Sequence, residues 1–125
     1  MSFILDTKNM AVLQKSMDCL WTRQKVISNN IANVDTPNYK SKTVSFEEMM
    51  AEILSGNDEK TIKSEISSMQ PTIYEDPDTS IREDGNSVDI DKENVELVRA
   101  TYQYQTSARQ VSDYISRLRY AIKGN

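Results

Sequence analysis

Asp76, Asp78 and Ser80 stand at the spacing of the first three oxygen ligands of a calcium-binding loop. Such a loop needs glycine at its sharp turn and a bidentate glutamate at its twelfth position. This chain places Ile81 at the turn and has no Glu at position twelve, so a solvated turn is expected instead. Histidine, the commonest general base and zinc ligand, is absent from all 125 residues. Lys, Glu and Tyr could still move protons, but no nucleophile with a matched base stands out. The chain has only three glycines and no phosphate-binding glycine loop. The expectation is therefore no enzyme, no metal and no cofactor. Cys19, the single cysteine, has no partner for an internal disulfide. It aligns at seven-residue intervals with Val12 and Val26. Two readings of that stripe stand side by side: a small residue at a helix contact, or an apolar stripe touching a neighbouring subunit.

Composition argues in the same direction. The length suits one domain. However, only 38% of the residues are hydrophobic, with two Phe and one Trp, so the core is thin and the free monomer should be marginally stable. Residues 45–93 carry fourteen Asp/Glu against four Lys/Arg, a net of −10. The remainder carries five acidic and eleven basic residues, a net of +6. The basic residues are scattered along the ends, which favours a solvated or intersubunit role over nucleic acid. No stretch approaches the roughly 20 apolar residues of a membrane span, so no direct membrane insertion is expected. Ser2–Leu5 is too short for the apolar region of a signal peptide, and Asp6 follows at once. Any route out of the cytoplasm should need no cleaved signal.

The elements that position these residues begin with a long helix opening near Asp6 or Thr7. Met10, Leu13, Met17, Leu20, Gln24, Ile27, Ile31 and Val34 recur at alternating threes and fours, a heptad seam with one polar member. Thr36-Pro37 should stop it, because proline pushes the preceding residue out of the α region. Over 45–55 a short helix is expected. Ser45 and Glu48 match a capping box, Phe46, Met49, Met50, Ile53 and Leu54 share one face, and Gly56 is the stop. Residues 57–87 read as aperiodic, with 57–70 mobile. Pro77 suits a turn that would pair Thr72–Glu75 with Thr79–Glu83, a small hairpin within 72–83. Asp84-Gly85-Asn86 is a further turn signal. The last helix should start with Asp91 as N-cap, Glu93 and Glu96 complementing its dipole. Its seam is Leu97, Thr101, Tyr104, Ala108, Val111, Ile115, Leu118 and Ile122.

The two seams should pack on each other as a two-stranded coil. Residues 1–36 and 91–125 then form one discontinuous core domain, and 37–90 an acidic middle segment. Burying one Leu or Ile is worth roughly 1.5–3 kcal/mol, against roughly 1–2 kcal/mol of backbone entropy per ordered residue. A narrow two-helix seam does not clearly win that contest, so further chains should cover the outer faces. Asn29, Asn30 and Asn33 crowd the last turns of the first helix, where asparagine is a poor former. Helix fraying and C-capping ahead of Pro37 is one reading. Amides that hydrogen-bond across chains and fix register is the other.

Asn30-Ile31-Ala32-Asn33-Val34-Asp35-Thr36-Pro37-Asn38-Tyr39-Lys40 resembles the signature of the bacterial flagellar rod and hook proteins. The longer run from Val26 to Met50 is most similar to the proximal rod members of that family. Asp84-Gly85-Asn86, then Val88-Asp89-Ile90-Asp91 and Glu93, is similar to their second block. The family usually has glycine after the proline. Here Asn38 stands there, one of the side chains that best tolerate φ > 0. The resemblance implies a mainly α fold, with long terminal helices packed as an antiparallel coiled coil around a middle segment that contacts adjacent subunits. It implies a structural, self-assembling role in the flagellar basal body and export unfolded through the flagellar type III apparatus, whose gate would read Phe3-Ile4-Leu5. The implied partners are copies of itself, other rod proteins, the MS-ring and its adaptor protein. The rival expectation is a soluble helical interaction module, such as a secretion chaperone or a coiled-coil regulator.

Overall fold

The computed structural model describes residues 7–124, so the expected cap at Asp6 and the Phe3-Ile4-Leu5 patch lie outside the described residues. Helix α1 (Thr7–Ala32) is followed by strand β1 (Lys42–Ser45), helices α2 (Glu47–Leu54) and α3 (Glu59–Ser68), strand β2 (Thr72–Glu75) and helix α4 (Ile90–Lys123). The fold is mainly helical, as the two heptad seams predict.

Helices α1 and α4 run antiparallel. Asn9 and Leu13 share a cavity with Gln110, Asp113 and Arg117, whereas Val26 and Ile27 face Lys92, Glu93 and Glu96. Between these ends Gln24 Nε2 donates to Ala100 O at 3.4 Å, and the rings of Trp21 and Tyr104 lie 6.2 Å apart. Leu20 and Ile27 are buried, while Leu13, Met17, Ile31, Leu97, Tyr104, Val111 and Leu118 are half-buried. The seam opens toward the end of α4, where Ile115 is 44% and Ile122 81% exposed.

The middle segment departs from expectation at several points. Residues 57–70, expected to be mobile, contain α3. Its N-cap Asp58 accepts from Thr61 N, and Ile62 and Ile66 are buried. Together with Met69 they recur at i, i+4 and i+7, a short helical period. Strand β2 does not pair with 79–83. It pairs antiparallel with β1, Lys42 opposite Glu75 and Ser45 opposite Thr72. The better partner is β1 because Val44 is buried in the core, whereas Ile81 is 65% exposed. Ser45 is thereby held in a strand, so the capping box does not form: α2 starts after Phe46 with no side-chain cap. The helix ends at Leu54, with Ser55 as its C-cap just before Gly56.

Cys19, Leu20, Val44, Phe46, Met50, Ile62, Ile66 and Met69 form the buried core, with Val12, Val26 and Tyr104 packed against it. This decides the Cys19 stripe. The chain's own α3 and β1 supply its cover, and Cys19 is 0% exposed. Burial pushes its thiol pKa up, which favours an inert side chain.

At α4 the N-cap is Asp89, whose carboxylate accepts from Asp91 N and Lys92 N. The cap thus falls two residues ahead of Asp91. Gly124 closes the helix in the left-handed conformation, φ 70, donating to Tyr120 O.

Candidate functional site at the α1 corner

Helix α1 ends at Ala32, earlier than proline alone would stop it. Asn33 N donates to both Asn29 O and Asn30 O, a shared bond that tightens the last turn. The asparagines explain the rest. Asn30 is 0% exposed. Its amide donates to Lys42 O at 2.8 Å and accepts from Lys42 N at 3.1 Å. A carboxamide presents one donor edge and one acceptor edge, matching both backbone groups of a single residue. Asn30 therefore clamps the start of β1 to the end of α1. Tyr39 closes over this clamp, its hydroxyl donating to Asn30 Oδ1 at 2.9 Å and accepting from Asn29 Nδ2 at 3.2 Å. Burial pushes the Tyr39 phenol pKa up. Asn33 bonds locally, donating to Asn29 O and accepting from Thr36 Oγ1. The capping reading holds for Asn33, whose amide donates to Asn29 O, while Asn30 fixes register within the chain.

The second block completes the corner. Asn86, also 0% exposed, donates its side-chain amide to Asn33 O and Thr36 O, each at 2.8 Å. It thus adds a second donor to two carbonyls just beyond the end of α1, which also accept from Thr36 N and Tyr39 N. Its own Oδ1 accepts from Val88 N at 2.7 Å. Asn38 N donates to Asp84 O, and Ser87 N to Tyr39 O. Lys40 Nζ reaches Gly85 O, and Arg82 reaches Val34 O. Asn38 has φ 65 and Gly85 φ 82, both in the left-handed region. Asn38 is the tolerant substitute for the glycine usual after the proline. The hydrogen bond from Asn86 N, ahead of the Arg82 charge, holds the Asp84 carboxyl below its ordinary pKa.

A buried polar relay ties this corner to α4. Ser41 N donates to Ser87 Oγ, and Ser41 Oγ donates to Glu93 Oε1, each at 2.8 Å. Glu93 was expected to complement the helix dipole, yet it is buried. The neighbouring residue, Lys92, meets Asp76 Oδ2 with its Nζ at 2.5 Å. Burial acts to raise the Asp76 pKa, but hydrogen bonds from Lys92 and Asp78 N outweigh it, and the carboxyl lies below its ordinary range. Asp76 Oδ1 accepts from Asp78 N at 2.9 Å. The turn at 76–80 is solvated at Pro77, Asp78 and Ser80, which are exposed, while the Asp76 side chain alone is drawn in to 10% exposure. Among the described residues no group of three or more His, Cys, Asp or Glu could hold a metal ion.

The corner brings together Asn30, Asn33, Thr36, Asn38, Tyr39 and Lys40 from the first motif with Asp84, Gly85, Asn86 and Val88 from the second. Ile31 is half-buried, while Ala32 and Pro37 are exposed. Asp91 contributes only a backbone N–H to the Asp89 cap. The reading from sequence did not single out Ser41, Arg82 or Ser87. Their partners lie 46–52 residues away, and local periodicity carries no signal at that separation. The chemistry of the site is a lattice of backbone-directed hydrogen bonds, suited to holding shape.

A long helix pair whose connecting corner is locked by a second polar block defines a structural protein, and residues 20–40 match the flagella basal body rod protein family. The flagellar basal body rod protein FlgB of Bacillus subtilis (strain 168) is 36% identical over 107 residues, spanning 82% of this chain and 83% of the relative. The FlgB protein of Aeromonas hydrophila is 32% identical over 124 residues, 94% of each chain. That of Borreliella burgdorferi is 32% identical over 121 residues, covering 86% of this chain and 90% of the relative. The chain belongs to the FlgB family of flagellar basal body rod proteins.

Proposed function

We propose that this protein is a structural subunit of the proximal flagellar rod that self-assembles through its terminal helices and transmits motor torque by packing, without catalysing a reaction. The observation that carries the reading is the unfinished seam. Leu20 and Ile27 are buried and Leu13, Met17, Ile31, Leu97, Tyr104, Val111 and Leu118 half-buried, yet Ile115 and Ile122 remain exposed. Apolar surface left at the end of a seam favours burial against a neighbour. In this reading 1–36 with 91–125 is the assembly coil. The middle segment 37–90 presents the corner and its acidic surface to adjacent subunits. The neighbours are copies of itself, other rod proteins, and the MS-ring with its adaptor protein. The subunit reaches the periplasmic rod through the flagellar type III export apparatus, with no signal peptide cleaved.

The deciding experiment is complementation of a strain lacking this gene, followed by a density map of its basal bodies. Restored motility with the α1–α4 pair resolved in the rod supports the proposal. A discrete small oligomer in sedimentation, with no density in the basal body, favours a soluble interaction module instead.

A further inference from the structure

The small sheet has one closed edge and one open edge. Asp76 N donates to Ser41 O at 2.9 Å, and the register sets Thr43 opposite Tyr74 and Ser45 opposite Thr72. In an antiparallel pair, residues that exchange backbone hydrogen bonds alternate with residues that do not. Thr72 and Tyr74 therefore bond to β1, while the N–H and C=O of Ile73 and Glu75 point away from it. On β1 the corresponding outward groups are covered. Asn30 takes both backbone groups of Lys42, and Arg23 Nη2 donates to Val44 O at 2.8 Å. Among the described residues nothing hydrogen-bonds to the outward groups of Ile73 and Glu75. All four residues of β2 are exposed.

An open edge is a template for another strand. Two prolines bound this one. Pro71 and Pro77 stand at equal distances either side of Tyr74, and neither has an N–H to offer. The two outward donors, Ile73 and Glu75, flank Tyr74 directly. The edge is thus symmetric about Tyr74, both in its donors and in the positions that lack them. A second β2 laid antiparallel meets it group for group, Ile73 exchanging both backbone bonds with Glu75 of the second copy. Pro71 then falls opposite Pro77 of the second copy, and no donor is stranded. Tyr74 faces its own counterpart at a closely spaced, non-hydrogen-bonded position, where aromatic pairs stabilise a sheet. A centre at Glu75 would set like charges directly opposite, which destabilises. A centre at Ile73 would send the Glu75 donor to Pro71, which lies outside the strand.

We propose that the occupant of this edge is the same edge of a second copy of this chain, joined across a two-fold axis at Tyr74 into a four-stranded sheet. An isologous contact of this kind closes on a dimer. It is a state of the free subunit, separate from the rod reading, which the basal-body map tests. Two short strands make a small interface, so the dimer is weak and forms at high protein concentration.

Disulfide trapping tests it on the full chain, with buried Cys19 left in place. Opposed residues at a non-hydrogen-bonded position have Cα atoms about 4.5 Å apart, within the span of about 4.4–6.8 Å that a disulfide bridges. Mild diamide oxidation of concentrated Tyr74→Cys should give a covalent dimer and nothing larger. Thr72→Cys lies on the same face of the same strand but faces position 76 of the second copy, so it should crosslink several-fold less. Glu75→Pro removes an outward N–H and spares the β1–β2 ladder. Added to Tyr74→Cys, it should cut the crosslink several-fold. Circular dichroism checks that each variant folds as the parent does, and Ile73→Lys takes the place of Glu75→Pro if that one does not. In the parent chain, amide exchange at Ile73 and Glu75 should slow as concentration rises, while the Tyr74 amide is protected throughout. Equal crosslinking of Thr72→Cys and Tyr74→Cys means random collision and overturns the proposal. A dimer that survives the edge variant forms elsewhere and also overturns it, as does a chain that stays monomeric at millimolar concentration. Protection of these amides in purified basal bodies but never in the free chain would make the edge a site for another protein and overturn the two-fold pairing.

Discussion

The side-chain oxygen of Asn38 fills the space in which a side chain at Gly85 would begin: a Cβ added to Gly85 would lie 2.2 Å from Asn38 Oδ1. The two motifs, nearly fifty residues apart, are therefore matched by shape. One uses an asparagine at positive φ, and the other leaves the room that this asparagine takes up.

Gly85→Ala should consequently destabilise the protein twice, through strain at φ 82 and through the clash. A loss of about 2 kcal/mol or more is expected, since each left-handed non-glycine residue costs of order 1–3 kcal/mol. Asn38→Gly in the same chain should recover the clash but not the strain. Urea denaturation of the four proteins in this cycle checks it, and additive losses would mean that Asn38 does not press on Gly85.

Asn30→Ala and Asn86→Ala should each cost about 1–3 kcal/mol, because the first removes the side-chain partners of the Lys42 backbone and the second takes Asn86 Oδ1 away from Val88 N. Asn30→Asp should be nearly as costly as Asn30→Ala. A carboxylate still accepts from Lys42 N but repels Lys42 O. Thermal unfolding of the three variants measures this, and an unchanged midpoint for Asn86→Ala would show that water caps the corner equally well.

Stability should fall in acid, with a definite sign. The Asp76 carboxyl is held below its ordinary pKa, Lys92 hydrogen bonding and charge outweighing the effect of burial. A depressed carboxyl pKa contributes stability above its unfolded value, near about 4. That contribution is lost as pH falls through the folded value. Lys92 is shifted up, chiefly by its hydrogen bond to Asp76. Its contribution is present below the unfolded lysine pKa, about 10.4, and is lost as pH rises through the folded value. Asp76→Asn should flatten both limbs of the stability–pH curve. Unfolding midpoints measured from acid to alkaline pH will show whether it does.

The seam makes a separate prediction for assembly. Ile31→Asp, at a half-buried position, and Ile115→Asp, at a more open one, should abolish rod formation and motility. Ile115→Asp should do so while leaving monomer unfolding within about 0.5 kcal/mol, as expected of an exposed site. Normal swimming by both variants would rule out the seam as an assembly surface.

Because Ile115 and Ile122 lack full cover, the last turns of α4 should exchange their amide hydrogens fast in the monomer. They should become protected on polymerisation, whereas Ala100 and the amides around Cys19 should be slow in both states. Equal protection along the whole of α4 in the monomer would contradict this.

The terminal helices were legible in the residues themselves because heptad spacing is a local property, and a 3.5-residue period sustained over several turns admits one local structure. The positive φ of residue 38 was foreshadowed only by the resemblance, in whose pattern Asn38 stands where glycine is usual. The absence of a histidine was enough to turn the reading away from common acid–base chemistry. What tertiary structure decided was where the middle segment goes. Ile62, Ile66 and Met69 carry a helical spacing too short to stand out from the surrounding Ser, Lys and Glu, and α3 persists by burying them beside Cys19. Strand β2 chose Lys42–Ser45 over its nearer neighbours because that pairing also buries Val44. Asn86 capping Asn33 and Ser41 bonding Glu93 join groups some fifty residues apart. Hydrogen-bond partners at such separations are set only when the whole chain is packed, since every buried donor must then find the acceptor that the fold has brought to it.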